Sequence, residues 1–156
     1  MALVRILVDG YSLLHQWMDL APGRPRHAAS AREELINRLT QYQDATGTPI
    51  TVVFDGSRPD GDVEDAPPAG VVKVLYSHIG QTADQVIERL AHRYQSYGEV
   101  LVVTSDRAER ETVASAGALT SSCRDFIDMI EASLGDLERE IATYNQKVRS
   151  QFLRHP

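Results

Sequence analysis

Three short apolar runs in this chain each give way to an acidic residue, and that repetition limits the folds open to it. Ile6-Leu7-Val8 runs into Asp9-Gly10, Ile50 to Phe54 into Asp55-Gly56, and Val100 to Val103 into Thr104-Ser105-Asp106. Near-continuous apolar character suits strands covered on both faces, as in a parallel sheet. Val71 to Tyr76 reads as a further strand and Gly117 to Thr120 as a short fifth one. Between them lie segments of helical period: Leu35, Ile36, Leu39 and Tyr42, then Val86, Ile87, Leu90, Ala91 and Tyr94. Strands alternating with helices specify an α/β fold, a parallel sheet of four to five strands joined by right-handed crossovers.

Local signals place the helix starts. Ser30 with Glu33, and Thr82 with Gln85, have the spacing of capping boxes, and Ser122 with Asp125 would open the last helix. Gly10 to Ala29 reads as a turn or short helix followed by a loop bearing Arg24, Arg26 and His27, and residues 55–70 as a solvated loop rich in acids, Pro and Gly. The final helix carries Ile127, Ile130, Leu134, Leu137, Ile141, Tyr144 and Val148 in steps of three and four, a stripe longer than a small domain needs. It packs along the sheet or offers a dimer or partner contact. We expect one domain over residues 1–156, with 136–156 a helical extension.

A net charge of −6 argues against gripping nucleic acid through bulk positive charge, but leaves room for a local basic rim. One cysteine, Cys123, excludes an intramolecular disulfide, and no Cys/His cluster has zinc spacing. No segment has the length or apolarity of a membrane span or secretory signal, so a cytoplasmic protein without a membrane partner is expected.

The acids carry the chemistry. In an open parallel sheet the carboxyl ends of the strands share one edge, outside which ligands bind. Asp9, Asp55 and Asp106 follow three strands, and Asp84 stands in the first turn of a helix starting on that edge. A lone Asp there is explained by capping. A set is not, since two carboxylates about 4 Å apart repel by roughly 4 kcal/mol at an effective dielectric near 20. A cation removes that cost, and all-oxygen ligands imply Mg²⁺ or Mn²⁺ and phosphodiester hydrolysis. Ser105, Ser122, Glu88 and Glu109 are within reach as supporting groups, each with an ordinary capping or solvated reading. Arg24, Arg26, Arg58, Arg107, Arg110 and Arg124, with His27, are candidates for an RNA-binding rim, and Tyr11 and Trp17 for base stacking. His15, His78 and His92 are too scattered in sequence to suggest a catalytic set.

The segments VDGYSLLH, VVFDG, QTADQVIERLA, VVTSDRAER and GALTSSCRDFIDMIE, in this order, resemble the NYN-domain proteins of the YacP-like family over about residues 3–140. That resemblance implies a three-layer α/β/α, PIN-like fold and a metal-dependent endoribonuclease acting on RNA, in a group of which some members associate with ribosomes. It implies Asp9, Asp84 and Asp106 as catalytic and metal-holding residues, with Asp55 supporting. The chain departs from the family motif at Ser12, where Asn is usual; Ser keeps a hydrogen-bonding group on a shorter arm. The alternative is a non-catalytic PIN-like adaptor that binds RNA or the ribosome.

Overall fold

The computed structural model describes residues 3–58 and 70–154; most of the acidic loop expected at 55–70 lies outside them. Five strands, β1 (Leu3–Asp9), β2 (Ile50–Arg58), β3 (Lys73–His78), β4 (Glu99–Val103) and β5 (Leu119–Ser121), form one sheet in the order β3-β2-β1-β4-β5. Every pairing is parallel. The helices are α1 (Gly10–Gln16), α2 (Ala29–Thr46), α3 (Ala83–Gln95), α4 (Arg107–Ser115) and α5 (Cys123–Arg154).

Strand residues alternate between the two faces, and the core divides accordingly. Ile6, Val8, Val52 and Phe54 join Leu35 and Leu39 of α2 and Phe126 and Ile130 of α5 in one buried cluster. Leu7, Val53 and Val102 join Val86, Ile87 and Leu90 of α3 and Val113 of α4 in the other. The result is the three-layer α/β/α sandwich, with β1 central and covered on both sides. Burying a side chain such as Phe54, fully enclosed here, contributes on the order of 1.5–3 kcal/mol.

Thr82 and Gln85 form a reciprocal capping box at the start of α3, and Asp125 N–H donates to Ser122 Oγ at 3.1 Å ahead of α5. The box expected at Ser30 and Glu33 does not form. Ala28 occupies the cap without a side-chain bond, because a turn from Pro25 (Ala28 N–H to Pro25 O, 3.0 Å) carries the chain into the helix early. β3 starts and ends two residues later than the Val71–Tyr76 run, and β2 continues through Asp55 to Arg58. Among the described residues no helix is long and apolar enough to cross a membrane.

Candidate functional site

Asp9 ends β1 and caps α1: its Oδ1 accepts from Ser12 N–H at 3.3 Å. Gly10, first in that helix, is required by packing, since a Cβ there would overlap the Phe54 ring. Asp106 repeats the arrangement, its Oδ1 accepting from Ala108 N–H at 2.9 Å and Glu109 N–H at 3.3 Å at the start of α4. Thr104, buried at the end of β4, turns the chain by accepting from Asp106 N–H at 3.2 Å. Capping is therefore real at both acids. It also fixes where each carboxylate stands.

Asp55 lies within β2 rather than after it, anchored by Ser77 Oγ–H at 3.0 Å from the neighbouring β3. Asp84 comes from the first turn of α3. Asp9, Asp55 and Asp84 line one open cleft of about 310 Å³ with Tyr11, Ser12, His15, Thr82 and Ala83. A larger cavity, about 520 Å³, is lined by Arg5, Gln43, Asp44, Pro49 and Lys73 near the amino ends of the strands, away from the acids.

The electrostatics tie Asp106 to the cleft. Burial, then Asp9, Asp106, Glu88 and Asp55, push the Asp84 carboxyl up to about 6. Burial also raises Asp9, opposed by its hydrogen bonds from Ser12 and reinforced by Asp55 and Asp106. Ser12 thus holds Asp9 through its backbone N–H and favours the charged carboxylate. Glu109, only 5 % exposed, is pushed up to about 8 by burial, a hydrogen bond with Glu88 and the negative charge of Asp84, Glu88 and Asp106. Its Oε1 has no hydrogen-bond partner.

Among the described residues, no three Asp, Glu, His or Cys side chains are gathered closely enough to grip an ion between them. The donor set is still that of a hard cation, being oxygen-only, anionic and crowded enough to hold back the ionisation of Asp84. Mg²⁺ keeps several waters and takes one or two carboxylates directly, so it fits these residues where a fully caged ion would not.

The basic candidates divide. Arg26 directs its guanidinium at the carbonyls of Leu14, Trp17, Leu20, Ala21 and Arg24, at 2.6–3.3 Å, and so ties the loop between α1 and α2. Arg110 donates to Thr104 O at 2.8 Å, and Arg107 pairs with Glu111 at 3.4 Å on the surface. Arg24 and Arg124 are exposed, as is Ser105. Trp17 is buried in the core. Residues not singled out as a group come together instead: His27 lies edge-on to Tyr11 and to His15, ring centroids 6.4 Å apart in each case. Arg32 donates to Tyr11 Oη at 3.3 Å. The signal available for Ser77 was its place just past the apolar part of β3; nothing in the sequence paired His15 with His27.

The comparisons place the fold among known proteins. The family model for the YacP-like NYN domain matches residues 6–156. The uncharacterized protein YacP of Bacillus subtilis (strain 168) is 31% identical over 147 residues, 94% of this chain and 84% of the relative. The crystal structure of Rae1 (YacP) from Bacillus subtilis superposes with a TM-score of 0.73 at 28% identity, covering 98% of this chain and 87% of that one. A mutant of the same protein gives a TM-score of 0.71 at 30% identity, over 90% of this chain and 82% of the other. With the family model spanning nearly the whole sequence and both sides of the sandwich in place, the chain belongs to the YacP-like NYN-domain family.

Proposed function

We propose that the acidic edge hydrolyses RNA phosphodiester bonds, as a metal-dependent endoribonuclease with Mg²⁺ or Mn²⁺ held by Asp9, Asp84 and Asp106. The observation that carries this reading is the meeting of Asp9, Asp55 and Asp84 in one open cleft, with Asp106 near enough to raise Asp84. Membership of a nuclease-like family supports it. The cation, when bound, supplies Lewis acidity toward the scissile phosphate and offsets the crowded negative charge. The chain's own groups do the rest. Ser12 orients Asp9, Ser77 fixes Asp55, and Glu88 and Ser105 stand at the margin. Exposed Arg24, Arg107 and Arg124, with Arg110 behind them, hold phosphates, which gives affinity without reading sequence. Arg26 serves by shaping the loop. Tyr11, His15 and His27 offer faces and edges for the bases of single-stranded RNA. The RNA is mRNA, rRNA or tRNA, engaged free or on the ribosome, and the reaction is placed in the cytoplasm.

The test is incubation of purified protein with single-stranded and structured RNAs in Mn²⁺, beside Asp9→Asn and Asp106→Asn. Cleavage by the wild type and a loss of about 10²-fold or more in both variants is expected, the scale on which losing one preorganised stabiliser of the reacting phosphate acts, here through a weakened hold on the cation. Equal cleavage by all three would sink the site. Ser12 in the place of the family's usual Asn, together with the net charge of −6, favours the second reading, a non-catalytic adaptor; ribosome co-sedimentation without cleavage of any RNA would establish it.

A further inference from the structure

The uncovered apolar stripe on α5 changes its surroundings along its length. Ile130 is buried in the core and Leu134 packs partly against it, but Leu137, Ile141 and Tyr144 are 40%, 52% and 67% exposed. From Gly135 to Arg154 the helix runs on for about 30 Å at 1.5 Å per residue. A helix of this length without tertiary packing is marginal in water, and its apolar positions keep the alternating four- and three-residue steps of a coiled-coil seam through Val148.

We propose that this face is covered by the same face of a second copy of the chain, with the two helices antiparallel. The charges flanking the seam choose the occupant and the direction. Asp136, Glu138 and Glu140 lie toward the start of the projecting segment, with Arg139 among them ion-paired to Asp136, and Lys147 and Arg149 lie toward its end. In a parallel pair the flanking positions would set Glu140 against Asn145 and Lys147 against Phe152, with no attractive pair. In the antiparallel pair Ile141 layers on Tyr144 and Leu137 on Val148, and Glu140 of each helix faces Lys147 of the other. A two-fold axis makes every such contact twice. The acids of the first half repel a nucleic-acid backbone, so RNA is the poorer occupant.

The proposal is independent of whether the acidic edge cuts RNA. Sedimentation equilibrium of the full chain from low to high micromolar concentration should show the mass rising from 17.3 kDa toward twice that value. Ile141→Glu, at an exposed position, should leave the domain folded with a cooperative melt, remove the rise of melting temperature with protein concentration, and hold the mass at that of a single chain. Glu140→Lys should weaken association about tenfold, and Glu140→Lys with Lys147→Glu should restore it. Direction is read by oxidation: Leu137→Cys and Val148→Cys should cross-link when mixed and not singly, with native Cys123 buried and silent. A single-chain mass at every concentration overturns the pairing. Cross-linking of Leu137→Cys with itself as readily as in the mixture overturns the antiparallel arrangement.

Discussion

Asp84 gives the residue-level test of crowding. Its carboxyl is held near 6 in the folded chain by burial and by the surrounding acids, above the value of about 3.9 for a free Asp. Between those values the folded state binds the extra proton, so stability falls as pH rises from about 4 to about 6, and the full cost is present at neutral pH. Asp84→Asn removes it. Allowing for solvent screening at this half-buried position, the variant should gain about 1 kcal/mol, or about 2–4 °C in Tm, at pH 7.5, and nothing near pH 4. Thermal melts at the two pH values check this; an equal shift at both would mean the acids do not interact. Gly10 gives a second test. Because a Cβ would enter the Phe54 ring, Gly10→Ala should cost about 1–3 kcal/mol in urea unfolding despite the better helix propensity of Ala.

At the level of elements, the loop between α1 and α2 depends on one side chain. Arg26 gathers the carbonyls of Leu14, Trp17, Leu20 and Ala21 on one guanidinium, three of which also accept a backbone N–H within the loop, and hydrogen bonds to a charged group are worth about 1.5–3 kcal/mol. Arg26→Leu should therefore lower stability by at least that much and raise amide exchange in residues 17–28, measured by hydrogen exchange. The sequence could not disclose this role: a guanidinium near Gly and Pro looks the same whether it turns outward to phosphate or inward to carbonyls. Strands were easier to read. Ile50 to Phe54 has no plausible alternative to a buried strand, and Thr82 with Gln85 marked α3 to the residue. Ser30 and Glu33 misled because a capping box competes with the turn that precedes it, and only the Pro25 turn decides. Among the acids, Asp9, Asp84 and Asp106 were legible because they sit where strands end or helices begin. Ser77 and the His15, His27 and Tyr11 group were not, because they meet only after the chain has folded.

For the whole molecule, the acidic edge predicts a response to ions. Mn²⁺ or Mg²⁺ binding the folded chain alone should raise its Tm by several degrees at saturation, and Asp106→Asn should reduce that rise by more than half. No shift at tens of millimolar ion would count against a cation on this edge. The sheet order has a further consequence, for biosynthesis. β1, made first, lies in the centre between β2 and β4, so its outer hydrogen-bonding side stays open until residues through Val103 have been synthesised. Asp9 emerges from a translating ribosome before Asp84, and Asp106 only after the strand that completes the centre of the sheet. A chain interrupted before Asp106 thus carries these acids unassembled, and the edge is completed only once synthesis has passed β4 and the start of α4.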